Sequence, residues 1–206
     1  MAVWLEVIKE AGGAVEERLA YNRFLGRSLA HDIQVLEEEF DLVLTPKHLS
    51  RMQKRFYDRL RRELKPIPGV GEAIIRLVNR CCVASSSKID RIRLSLSVTG
   101  LLDHFEPHIY SSSAVQNGKP APDLFLYAAS SMGAEPATCI VIEDSAPGVQ
   151  AAKRAGMRVC AFTGGSHAGP ACLRETVAVL DPDAVFDDMR ELPDLLASIC
   201  ARKNMD

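Results

Sequence analysis

The stretch Cys139-Ile140-Val141-Ile142-Glu143-Asp144-Ser145-Ala146-Pro147-Gly148-Val149 changes character twice within one short run. Four apolar residues with no helical spacing read as a buried strand. Two carboxylates end it, and Pro147-Gly148 leads into a helical pattern at about 146–155. In an open parallel sheet the ligand lies beyond the carboxyl ends of the strands, so Glu143 and Asp144 stand where chemistry is expected. Adjacent carboxylates at such an end can offer Mg2+ the hard oxygens it prefers. The plainer alternative is that Asp144 or Ser145 caps the following helix.

Reading outward, the same alternation recurs. Helical stretches at about 70–79, 88–99 and 122–132 alternate with short apolar runs at Cys81 to Ser85, His108 to Tyr110, Arg158 to Phe162 and Ala184 to Phe186. Alternation of this kind predicts an α/β fold, a doubly wound parallel sheet with helices on both faces. The strand ends are polar. Ser85-Ser86-Ser87-Lys88 closes one, and its hydroxyls and amides at a helix start can cradle phosphate. In Gly118-Lys119-Pro120-Ala121-Pro122-Asp123 two prolines restrict the backbone, holding Lys119 in a narrow range of directions. A fixed ammonium suits neutralisation of phosphate or carboxylate, although an exposed loop lysine is equally compatible with the residues alone.

Residues 1–66 read differently, as helix after helix. Leu5, Ile8 and Leu19 lie around a Gly12-Gly13 break, Ile33, Leu36 and Phe40 form an apolar stripe, and Thr45-Pro46 opens another helix. That helix is basic, with Lys47, Arg51, Lys54, Arg55, Arg59, Arg61 and Arg62 opposite a Leu49, Met52, Phe56, Leu60 stripe. A solvated face balanced by Glu37, Glu38 and Glu39 is preferred to a nucleic-acid surface. Lys65-Pro66-Ile67-Pro68-Gly69 marks a linker, so the expected units are a helical module at 1–66 and an α/β core at 67–206.

Composition bounds the function. Of 206 residues, 47% are hydrophobic and 25% charged, which is the balance of a globular protein rather than a disordered one. Lys and Arg number 25 against 27 Asp and Glu, and the net charge of -2 gives no reason to expect nucleic acid or an anionic membrane as partner. Six cysteines show no C-x-x-C pair and read as free thiols, several of them small buried hydrophobes in apolar runs. With no signal-peptide pattern, the expected setting is cytoplasmic and the expected state a monomer.

Taken together, these motifs resemble the haloacid dehalogenase-like hydrolases, in the branch with a helical cap that includes β-phosphoglucomutase-like proteins and sugar-phosphate phosphatases. The resemblance rests on Val83-Ala84-Ser85, on Lys119-Pro120-Ala121-Pro122-Asp123-Leu124-Phe125, and on Ile142-Glu143-Asp144-Ser145-Ala146-Pro147-Gly148-Val149. A cap loop at Phe24-Leu25-Gly26-Arg27-Ser28 adds to it. It implies a Mg2+-dependent phosphatase acting on a small phosphorylated substrate through an aspartyl-phosphate. Ser85 would hold phosphoryl oxygens and Lys119 would stabilise the charge of nucleophile and phosphate. Glu143 and Asp144 would hold Mg2+, while Arg27, Ser86 and Lys88 would bind substrate.

One departure matters. The family's first motif, Asp-x-Asp-Gly at the end of the first strand, precedes the cap, whereas Met1 already lies in the first helical pattern. The expectation is therefore a core lacking its first strand and both catalytic aspartates, with two inner sheet edges left open. Asp181-Pro182-Asp183 matches Asp-x-Asp superficially and reads as a loop before a strand. The favoured expectation is a truncated record of such a phosphatase; the alternatives are a relic that binds a phosphorylated ligand or a protein without turnover, and a phosphosugar mutase.

Overall fold

The computed structural model describes residues 1–202; residues 203–206, the last four of the expected core, lie outside the described residues. Four helices open the chain: α1 (Ala2–Glu10), α2 (Glu17–Phe24), α3 (Leu29–Phe40) and α4 (Pro46–Glu63). Their starts follow from capping. Ser28 Oγ accepts from His31 N at 3.3 Å to begin α3. At α4, Thr45 Oγ1 accepts from His48 N while His48 Nδ1 accepts from Thr45 N, and Pro46 occupies the first turn, where its missing N–H costs nothing. Val7, Ile8, Ala20, Phe24, Leu36 and Met52 bury together in a cluster of their own, with Trp4 stacked on Phe24.

The basic face of α4 is matched by a different helix from the one expected. Arg55 pairs with Glu10 at 2.6 Å, and Arg51 and Arg59 reach Glu10 and Glu6, all on α1. Glu39 pairs instead with Arg23. The reason is packing: α4 lies along α1, so charges distant in sequence face each other.

After the linker come α5 (Val70–Arg76), β1 (Val83–Ser85), α6 (Ile89–Val98), β2 (Ile109–Ser111), α7 (Asp123–Ser131), β3 (Ile140–Glu143), α8 (Ala146–Arg154), β4 (Arg158–Phe162), α9 (Leu173–Ala178), β5 (Ala184–Phe186) and α10 (Leu192–Arg202). Helix α5 stops before the expected Asn79, because Leu77 turns extended, and leaves Val78 97% exposed. Likewise β1 begins at Val83, with Cys81 and Cys82 in irregular chain ahead of it.

Every strand pairing among the described residues is parallel, as expected of a doubly wound sheet. Val83 to Ser85 pairs with Ile109 to Ser111, Ile140 to Glu143 with Arg158 to Ala161, and Cys160 to Phe162 with Ala184 to Phe186. Alternation along β4 serves two cores. Val159 and Ala161 bury against α7, α8 and α9, while Cys160 and Phe162 bury with Ala73 of α5 and Leu192 and Ile199 of α10. Helices therefore cover both faces of the sheet.

The strands form two sheets, β1-β2 and β3-β4-β5. Ala84 and Val141 pack on one cluster, so β1 and β3 are the banks of a shared crevice. Among the described residues no strand lies between them. β4 is almost wholly buried, yet Ile140, Val141 and Ile142 of β3 are only half-buried. Of the six free cysteines only Cys160 is fully buried; Cys81, Cys82, Cys139 and Cys172 are half-buried and Cys200 is exposed. Burial pushes the Cys160 thiol up to about 12 and the Cys82 thiol up to about 11, so both stay protonated.

Candidate active site at the strand ends

The carboxyl ends of β1 and β3 meet through one side chain. Lys119, 6% exposed, donates to the Ala84 carbonyl at 3.4 Å and pairs with the Glu143 carboxylate, itself 6% exposed. Its ammonium also lies 4.7 Å from the centre of the Phe125 ring. Of the two possibilities open for Lys119, the exposed loop lysine is excluded. The Glu143 carboxylate is further held by Ser145 Oγ, which donates at 2.9 Å, and by the Asp144 N–H at 3.2 Å. Gly148 makes room for it, since a Cβ there would overlap the carboxylate. Ser145 also accepts from Gly148 N at 3.2 Å, and so it is the residue that caps α8.

Asp144 points elsewhere. Its side chain is 59% exposed and 3.6 Å from His167 Nε2, while its carbonyl lies 3.0 Å from the same ring nitrogen. Asp144→Asn should accordingly change stability by less than about 0.5 kcal/mol, the usual scale for an exposed site, as read from denaturant midpoints.

The serines after β1 form a connected rim. Ser85 Oγ accepts from Ser87 N at 3.2 Å, Ser111 Oγ donates to the Ser87 carbonyl at 2.6 Å, and Ser112 Oγ donates to the Ser86 carbonyl at 3.0 Å. Ser86 Oγ donates to the carbonyl of Gly26, on the loop between α2 and α3, at 3.2 Å. Gly26 itself has φ +77, and a Cβ there would come within 2.5 Å of Ser145 Oγ. Arg27 is half-buried beside it, and Lys88 is exposed at the start of α6. Ser85, Ser86, Lys119 and Glu143 are thus linked through neighbouring contacts, while Lys88 and the Asp144 carboxylate point outward.

Mg2+ is tested by the donor set. The Glu143 carboxylate is engaged by Lys119, Ser145 and Asp144 N–H, which leaves Asp144 as the available hard oxygen. No three His, Cys, Asp or Glu side chains gather as a metal set among the described residues. These residues alone do not fit a closed Mg2+ site. The Asp181-Pro182-Asp183 segment is remote from the site: Asp183 Oδ2 accepts from Val159 N, near the amino end of β4.

Sequence reasoning missed His167. Its only signal is its place after Gly164-Gly165-Ser166 at the end of β4, where the His167 ring lies against Gly165.

A parallel α/β core whose polar groups gather at the strand ends defines the class, a Rossmann-like fold with its candidate site at the sheet's carboxyl edge. Within that class the family follows from sequence. The model of the haloacid dehalogenase-like hydrolases matches residues 3–162, and the chain belongs to that family. It is 26% identical over 197 residues to a 6-phosphogluconate phosphatase of Escherichia coli, an alignment covering 93% of this chain and 84% of that protein. Among solved structures it is similar to a haloacid dehalogenase-like protein of Agrobacterium tumefaciens, at 32% identity and a TM-score of 0.80, covering 97% of this chain and 90% of the other. A family hydrolase of Deinococcus radiodurans, crystallised with phosphate and sodium, matches at 29% identity and a TM-score of 0.69, covering 96% and 87%. No described helix is long and apolar enough to cross a membrane.

Proposed function

We propose that the chain is the phosphate-holding body of a phosphoric monoester hydrolase acting on small phosphorylated metabolites. The observation that carries this reading is the buried Lys119 ammonium, fixed at the junction of β1 and β3 beside the Ser85–Ser86 rim. A cation already desolvated at a strand end stabilises phosphoryl charge without reorganising. Kinship with a 6-phosphogluconate phosphatase and with a phosphate-bound hydrolase supports the same substrate chemistry. Residues 1–66 act as the cap, with Arg27 facing the leaving group, and residues from 67 onward act as the core.

Hydrolysis through an aspartyl-phosphate needs a carboxylate that can reach phosphorus. Among the described residues Glu143 is committed to Lys119, Asp144 points outward, and Asp183 is remote. That observation favours, for these 206 residues by themselves, binding without turnover. The test is phosphorus NMR with inorganic phosphate, alongside assays on a panel of sugar phosphates with Mg2+. The expected result is phosphate binding, weakened at least about tenfold (about 1.4 kcal/mol) in Lys119→Met, and no turnover. Metal-dependent phosphate release by this polypeptide would overturn the nucleophile argument, and failure to bind phosphate would overturn the proposal itself.

A further inference from the structure

Asp32, on α3, is 5% exposed, and its Oδ1 is buried with no hydrogen-bond partner among the described residues. The charges of two arginines from different parts of the molecule bear on it, Arg27 on the loop before α3 and Arg91 on α6. Arg27 is in turn near Arg23 and His31, and Arg91 near Tyr57 and the Met1 amine. Arg91 crosses to the helical module, its guanidinium carbon 3.8 Å from the centre of the Phe56 ring on α4. Asp32 is therefore enclosed where helical module and core meet, close in sequence to the Gly26 carbonyl that takes the Ser86 hydroxyl.

A buried carboxylate with an unmet acceptor is costly once charged. Burial pushes the Asp32 carboxyl up to about 7, and Arg27 and Arg91 oppose that shift without cancelling it. The helices 1–63 have their own apolar cluster, so they can shift relative to the core without losing it. We propose that Asp32 is a proton-operated pin: protonated, it keeps the cap loop seated on Ser86 and Ser145, and on losing its proton it draws the loop off the strand ends so that its carboxylate reaches water. The Ser86 hydroxyl is then released from the Gly26 carbonyl and free to meet a ligand. This device does not depend on the phosphatase reading, and its test needs no turnover.

Trp4, the chain's single tryptophan, reports on it because it stacks on Phe24, two residues before Gly26. Acrylamide quenching of Trp4 is followed from about pH 5.5 to about pH 8.5, a range bracketing ordinary histidine and the raised carboxyl, with far-UV circular dichroism as a check on folding. Wild type should show one rise in quenching, with a midpoint near 7, at constant helicity. Asp32→Asn should lose that transition, and His31→Gln, which removes the neighbouring imidazole, should keep it. The sign of the linkage is fixed as well. A carboxyl held protonated by folding adds stability below its ordinary value of 3.8 and loses it as pH rises through about 7, so the Tm of wild type should fall relative to Asp32→Asn across that window. A transition that survives in Asp32→Asn, disappears in His31→Gln or is absent from wild type would overturn the proposal. Should Asp32→Asn fail to fold, carboxyl-carbon NMR of wild type decides: an aspartate titrating with the Trp4 midpoint supports the pin, and none titrating near 7 overturns it.

Discussion

Lys119→Ala should lower stability by about 3–5 kcal/mol, the cost of removing one partner of a buried ion pair. The loss arises on the other side of the pair. Glu143 stays 6% exposed with its negative charge uncompensated, keeping only Ser145 Oγ and the Asp144 N–H as donors. At about 2–4 °C per kcal/mol for a chain of this size, Tm should drop by roughly 10 °C. Replacing both residues by methionine should recover most of that stability, because a matched apolar pair leaves no stranded charge. The double variant should still bind phosphate at least about tenfold more weakly than wild type, which separates the ammonium's role in folding from its role in holding a ligand. A Lys119→Ala chain as stable as wild type in denaturant titrations would show that the pair contributes nothing.

Gly148→Ala should be nearly as damaging, for a reason that helix propensity alone reverses. Alanine in a helix is about 1 kcal/mol better than glycine, yet the added Cβ would overlap the Glu143 carboxylate. The carboxylate is the flexible end of its side chain and can move aside, so the expected cost is that of losing its place on Lys119, about 3 kcal/mol. A double-mutant cycle identifies this mechanism. In a Glu143→Ala background the overlap is gone, and Gly148→Ala should become neutral or stabilising by up to about 1 kcal/mol. Strict additivity of the two substitutions would sink the explanation.

Much of the core was legible because strand and helix periods report locally. The run Arg158 to Phe162 forms β4 with the bounds read from sequence, and the Glu143 end of β3 and the Lys119 loop both reach the site. What stayed hidden was partnership. Glu143 and Asp144 are neighbours in sequence, but the pleat sends one inward to Lys119 and leaves the other outside with His167, so an apparent pair of metal ligands separates. The partners of Arg51 and Arg55 lie on α1, more than forty residues away, rather than on the adjacent acidic helix, and Arg59 divides between Glu6 of α1 and Glu63 of its own helix. Asp32 gives no sequence signal at all, since a single aspartate in the first turn of a helix reads as an ordinary dipole partner.

The open crevice between β1 and β3 has a consequence for how many molecules behave together. Each bank pairs on one side only among the described residues, and Ile140, Val141 and Ile142 remain half-buried along the β3 bank. Unpaired backbone donors and acceptors beside apolar side chains are a template for another chain. Side-by-side association should therefore grow with protein concentration and respond little to salt, because backbone hydrogen bonds and apolar contact, rather than net charge, draw the molecules together.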